Sequence, residues 1–159
     1  MVTTTSKENK IIQILAEVTD PEIPVLTIED LGVLRRVEIK DEKILITITP
    51  TYTGCPAMDM IRVNIRAALE NAGYNNVEIE TVLSPAWTTD WISEEGRKKM
   101  EAYGIAPPQP HLKGIREGVP CPLCKSTKTV VISAFGSTPC KALYRCEDCK
   151  EPFDYFKCH

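Results

Sequence analysis

Two Cys-x-x-Cys pairs, Cys121-Pro122-Leu123-Cys124 and Cys146-Glu147-Asp148-Cys149, constrain the fold of this 159-residue chain more than any other feature. They stand 21 residues apart, a gap that a β-hairpin can span, and paired thiols at that spacing read as a zinc ribbon with four thiolate ligands. So short a module buries too little apolar surface to fold alone. Structural zinc supplies the missing free energy, roughly 10 to 16 kcal/mol in finger peptides. Between the pairs, residues 129–135 and 142–145 are expected to pair as strands, with residues 152–156 as a third.

Six of the seven cysteines lie beyond residue 120, and only Cys55 precedes them. The first ten residues lack the apolar core of an export signal, and no apolar run approaches the roughly 20 residues of a spanning helix. The expectation is a cytoplasmic protein with no membrane role, in which thiols serve as metal ligands or reactive groups rather than disulfides. Charge divides the chain at the same place, with a net −6 over residues 1–104 and +3 over residues 105–159. The join, Ile105-Ala106-Pro107-Pro108-Gln109-Pro110-His111-Leu112-Lys113-Gly114, is too proline-rich for a helix and suits a stiff spacer. Three segments follow: an α/β module over 1–104, a linker over 105–118 and the ribbon over 119–159.

The first module alternates helix and strand. Ile11, Ile14, Leu15 and Val18 recur at helical spacing after a polar start at Thr5-Ser6, and the pattern must stop before Pro21. Residues 36–40 and 43–49 alternate with period two around Asp41-Glu42, a hairpin expected to bury Val37, Ile39, Ile44, Ile46 and Ile48 on one face. Met58, Ile61, Ile65, Ala68, Leu69 and Ala72 form a second helical stripe that Gly73 can end. Residues 77–83 read as a third strand. A last helix over 89–103 carries acids early and bases late, as the macrodipole favours. The predicted class is α+β: an α-β-β-α-β-α layer with a three-stranded sheet, followed by the β ribbon.

Pro56 is expected to open the second helix, which makes Cys55 its N-cap, with a thiol pKa lowered by the unpaired N–H groups and the dipole. A small buried hydrophobe is the competing reading. Asp20-Pro21-Glu22-Ile23-Pro24 places two carboxylates in a proline-fixed loop, where a helix stop with solvated acids is the plainer reading. A closed zinc site takes four ligands, so Cys140 and Cys158 are left over, either as packing residues or as a second thiol set for a transient metal or cluster. His159 beside Cys158 and His111 in the linker receive no role. Trp87 and Trp91 read as packing residues, because Asp90, Glu94 and Glu95 would repel a nucleic-acid backbone.

These residues also carry a resemblance. Asp20-Pro21-Glu22-Ile23-Pro24, Asp30-Leu31-Gly32, Thr51-x-x-x-Cys55-Pro56 and Pro85-x-Trp87-Thr88-x-Asp90-x-Ile92-Ser93-x-Glu95-Gly96-Arg97 resemble the iron–sulfur cluster assembly family that includes SufT-like proteins. With the tail Phe135-Gly136-Ser137-Thr138-x-Cys140-Lys141-Ala142-x-Tyr144-x-Cys146-x-x-Cys149, continued to Cys158, the chain is similar to the D components of bacterial phenylacetyl-CoA ring epoxidase systems. The resemblance implies maturation of iron or iron–sulfur enzymes, with Cys55 as the functional thiol and Asp20 and Glu22 beside it. It also implies partners among the oxygenase or reductase components and the iron–sulfur assembly proteins.

No phosphate loop, nucleophile elbow or zinc-protease motif is present in the sequence. The leading expectation is therefore a non-enzymatic assembly factor, with structural zinc and a transient iron or iron–sulfur cargo on Cys55 and, as further candidates, Cys140 and Cys158. Its setting would be aerobic phenylacetate degradation, and a homodimer stays open. The alternatives are a zinc-ribbon nucleic-acid binder, supported only by the modest tail charge, and a thiol oxidoreductase using one Cys-x-x-Cys pair.

Overall fold

The structure is a computed structural model that describes residues 5–109 and 117–157. The chain divides into two compact units, Met1–Trp87 and Thr88–His159.

In the first unit, α1 (Ser6–Leu15) opens with a capping box. The Thr5 hydroxyl accepts from the Glu8 N–H at 3.3 Å, and the Glu8 carboxylate accepts from the Thr5 N–H at 2.7 Å, which satisfies two donors that the first turn leaves open. Ile11 and Leu15 are fully buried. The hairpin joins β1 (Leu34–Lys40) to β2 (Lys43–Ile48), and the two turn residues Asp41 and Glu42 both have positive φ, the twist that a two-residue hairpin needs. Ile44, Ile46 and Ile48 are buried, as their alternation requires. Val37 and Ile39 are only half-buried because β1 is an edge of the sheet, whose order is β1-β2-β3.

Helix α2 (Ala57–Asn71) packs Met58, Ile61, Ile65 and Leu69 inward and ends before Gly73, whose φ of 91° is the left-handed stop anticipated from sequence. It returns the chain to β3 (Val77–Thr81), parallel to β2, so that helix and strands form one β-α-β layer. The loop over 20–33 is not a solvated turn. Ile23, Leu26, Ile28, Leu31 and Val33 are all buried, and Thr27 and Asp30 each accept a backbone N–H from the other. Trp87 is buried and donates its indole N–H to the Leu31 carbonyl at 2.7 Å, which ties the Asp30-Leu31-Gly32 and Pro85-x-Trp87 motifs together and bears out the packing reading for this tryptophan.

The second unit begins with the segment expected to be one helix. It is two elements, a 3-10 turn (Thr89–Trp91) and α3 (Glu94–Ala102). Ile92 and Ser93 are extended, and the Ser93 hydroxyl accepts from the Gly96 N–H at 2.9 Å, so a serine N-cap interrupts the run. The Arg97 guanidinium then donates to the carbonyls of Thr89 and Pro108, each at 2.8 Å, clasping α3 to the chain on both sides. The expected boundary after residue 104 is not where the compact units divide. Ile105–Ala106 is not free spacer: it forms β4, parallel to β7, with both residues buried, and so draws α3 into the ribbon's unit.

The ribbon sheet has the order β4-β7-β6-β5, with β5 (Thr129–Ser133), β6 (Lys141–Cys146) and β7 (Pro152–Phe156) antiparallel as expected. Its core is Ala106, Val119, Ala142, Tyr144, Phe153 and Tyr155, closed by Cys121 and Cys146. The Tyr144 ring stacks on Phe153 at 5.7 Å and meets Tyr155 edge-on at 5.4 Å. Among the described residues no helix is long and apolar enough to cross a membrane.

Candidate functional site

The sulfur atoms of Cys121, Cys124, Cys146 and Cys149 all lie within 4.8 Å of one another. Tetrahedral metal–sulfur bonds of about 2.3 Å require sulfur–sulfur edges of about 3.8 Å. The Cys121–Cys149 edge is 3.8 Å and the Cys124–Cys146 edge is 3.5 Å, so the four thiols form a metal-binding group of the right size. Each pair sits in a knuckle made by a residue of positive φ directly after its second cysteine, Lys125 at 65° and Lys150 at 68°.

These turns aim backbone N–H groups at sulfur. The Ser126 amide favours the Cys124 thiolate, but the Cys146 thiol and burial outweigh it and push Cys124 up, whereas the Cys149 and Asp148 amides, with the Cys124 thiol, hold Cys146 down to about 7 against the cost of its burial. The Glu151 amide likewise favours the Cys149 thiolate, but burial and the thiols of Cys146, Cys121 and Cys124 outweigh it and push Cys149 up to about 12. A bound cation would displace the proton that this environment favours on Cys149.

Lysine pays a steric penalty of about 1 kcal/mol in the left-handed region that glycine does not. Lys150→Gly is accordingly expected to raise the ribbon's resistance to urea at unchanged metal content, measured by tyrosine fluorescence. A lowered midpoint would contradict the knuckle assignment.

Cys55 lies in the first unit. The expected capping arrangement is displaced by one residue: Pro56 is the N-cap of α2, it offers no side-chain cap, and Cys55 precedes it. The expected fall in the thiol's pKa is also overturned. Burial pushes the Cys55 thiol up, the Ala57 amide and the Tyr52 hydroxyl pull it partly back, and the Glu22 and Asp20 carboxylates push it further up. The net shift is upward because a half-buried site with two nearby negative charges outweighs two hydrogen bonds.

Asp20 is itself buried, and its Oδ1 accepts from the N–H groups of Glu22 at 2.7 Å and Ile23 at 2.9 Å. The aspartate thus fixes the loop that carries Glu22, while both charges act on Cys55. Sequence reasoning does not single out Tyr52, which occupies one of the free positions of Thr51-x-x-x-Cys55. The only clue there is its place in the turn leading into the helix.

A raised pKa leaves little thiolate at neutral pH. Native Cys55 is expected to react with iodoacetamide at pH 7 more slowly than an unhindered cysteine, to accelerate as pH rises past the ordinary thiol range, and to accelerate at pH 7 in Glu22→Gln. Labelling as fast as a free thiol at pH 7 would contradict this picture.

Cys140 is buried in the second unit with the Thr138 hydroxyl 3.0 Å from its sulfur. The Lys157 ammonium is also buried: it donates to the Ala134 carbonyl at 2.8 Å and stands 4.4 Å from the Phe135 ring centre. Burial lowers its pKa, and the Cys140 thiol acts against that shift. Cys158, His159 and His111 lie outside the described residues.

Residues 8–81 match the model of an iron–sulfur cluster assembly protein family, and residues 105–157 match the PaaD zinc beta ribbon domain. An Escherichia coli protein, whose name gives it provisionally as the D component of 1,2-phenylacetyl-CoA epoxidase, is 49% identical over 152 residues, covering 94% of this chain and 92% of that protein. A Porphyromonas gingivalis protein named as an Fe-S protein maturation auxiliary factor is 38% identical over 90 residues, covering 55% of this chain and 85% of that protein. The crystal structure of a domain of unknown function, DUF59, from Bacillus anthracis superposes with a TM-score of 0.55 at 28% identity, covering 58% of this chain and 90% of that one.

Proposed function

The chain belongs to the family of the phenylacetyl-CoA epoxidase D components, an iron–sulfur assembly domain joined to a zinc β-ribbon, and on that premise we propose that it matures metal centres rather than catalysing a reaction. Its clients are the iron or iron–sulfur components of a multicomponent phenylacetyl-CoA ring epoxidase acting in aerobic phenylacetate degradation. Its other partners are the iron–sulfur assembly proteins that supply the cargo. It works in the cytoplasm.

The observation that carries this reading is the environment of Cys55, a half-buried thiol on which two carboxylates act. A thiol held protonated is a weak ligand until a cation competes with its proton, and metal binding at such a thiol is pH-dependent for that reason. Asp20 and Glu22 disfavour the bare thiolate, yet the same charges attract a cationic cargo. The site is therefore tuned to take iron and give it up, the balance a transfer protein needs. We place the cargo on Cys55 rather than on Cys140, because the Lys157 ammonium beside Cys140 repels cations.

Cys121, Cys124, Cys146 and Cys149 would hold a zinc ion, which would supply folding free energy and, with four thiolate ligands, leave no open position for chemistry. The backbone N–H groups of the two knuckles would spread the charge of those thiolates.

Iron and acid-labile sulfide in anaerobically purified protein test the assignment. Iron is expected with the natural chain and is expected to be lost in Cys55→Ser and reduced in Glu22→Gln, with zinc unchanged in all three. Equal iron in the natural chain and in Cys55→Ser would overturn the reading.

A further inference from the structure

In the first unit a cleft of about 300 Å³ lies between α2 and β3, lined by Arg62, Val63, Arg66, Ala67, Glu70 and Ile79. Strand β3 is an outer strand of its sheet. The Ile44 N–H donates to the Asn76 carbonyl, and the Val82 N–H donates to the Ile48 carbonyl, so the even-numbered residues of this segment address β2. Alternate residues of a strand turn their peptide groups to opposite sides, which leaves those of Val77, Ile79 and Thr81 on the open edge. Two arginines from α2 reach that edge. Arg66 donates to the Val77 carbonyl at 3.1 Å, and Arg62 donates to the Thr81 hydroxyl. The open groups of Ile79 lie between them.

Two features make this edge receptive, and a third bears on its occupant. It runs five residues in regular register with no proline and no lysine, whereas β1 at the opposite edge carries Arg35, Arg36 and Lys40 and a break in register. Neither Arg62 nor Arg66 forms an ion pair among the described residues, so two guanidinium groups face the cleft against one carboxylate, that of Glu70. A second copy of β3 is a poor occupant, because Glu78 and Glu80 of two such strands would stand side by side.

We propose that the α2–β3 cleft receives an extended acidic segment of a partner protein, which adds to β3 as a fourth strand through main-chain bonds to Ile79 and sets carboxylates on Arg62 and Arg66. Main-chain pairing supplies the affinity of such strand addition and the arginines supply its selectivity. The surface is independent of the metal-cargo reading.

The probe is a fluorescein-labelled heptapeptide of alternating aspartate and valine, titrated into the full-length zinc-loaded protein by fluorescence anisotropy. Saturable binding is expected, weakening with added salt. It should weaken about tenfold or more in Arg62→Gln/Arg66→Gln, as loss of charged hydrogen bonds implies. A peptide with lysine in place of aspartate should not bind, and one methylated at alternate backbone amides should bind far more weakly; both leave the protein untouched and so remain decisive if the arginine variant misfolds. No saturable binding, equal binding of the lysine or methylated peptide, or undiminished binding to a folded arginine variant would each overturn the proposal. So would a dimer in sedimentation that Glu78→Lys tightens, as lysine opposite Glu80 would in a β3–β3 pair.

Discussion

Replacing Cys146 by serine is expected to release the ribbon's metal and unfold residues 88–157 while the three-stranded sheet of the first unit survives. Cys146 is fully buried, lies at the end of β6, and closes the same core as Tyr144, Phe153 and Tyr155. A serine there loses a thiolate ligand and leaves a hydroxyl among aromatic rings. The coupling at stake is large, roughly 10 to 16 kcal/mol for structural zinc in finger peptides, which exceeds what one small sheet contributes by packing. The expected readout is zinc falling from about one per chain to none, with hydrogen exchange accelerated throughout β5, β6 and β7 and unchanged in β1, β2 and β3. Because α3 and β4 belong to the ribbon's unit, their amides should lose protection as well. Retained zinc in a globally unfolded chain would contradict the four-thiolate assignment.

Cys55→Ser should behave in the opposite way. The residue lies outside the helix cap, since Pro56 fills that position without a side-chain bond, and serine differs from cysteine there by one atom. Folding and zinc content should be unchanged. Oxygenase components produced beside the variant are nevertheless expected to emerge folded and depleted of iron, to the level found when the chain is absent. Glu22→Gln should give an intermediate loss, even though it makes the Cys55 thiol more reactive. That opposition between reactivity and iron delivery separates a cation site from a site whose only requirement is a nucleophilic thiol.

The parts of the fold legible in the sequence are those governed by short-range rules. The Cys-x-x-Cys spacing leads to the ribbon, the period-two alternation to the hairpin, and Gly73 to the end of α2. Three features resist for identifiable reasons. The run over 89–103 reads as one helix because its charges suit a macrodipole, and that pattern masks a local signal, the Ser93 hydroxyl that caps a new helix by accepting from Gly96 three residues on. Residues 105 and 106 read as spacer because prolines follow them, yet their partners in β7 are Asp154 and Tyr155, far along the chain. The sign of the Cys55 shift is reversed because the N-terminal dipole is visible in sequence, whereas burial and the approach of the 20–22 loop are tertiary. The proximity of Asp20 and Glu22 to Cys55 follows from family resemblance, and no spacing argument can supply it.

The central claim is that this chain loads metal and is not itself a working part of the epoxidase. It is tested most directly by assaying phenylacetyl-CoA epoxidation with oxygenase and reductase components that were matured in its presence and then freed of it. The account predicts full turnover without the chain and no increase when it is added back. A turnover rate that depends on the chain's stoichiometric presence with fully loaded components would contradict it.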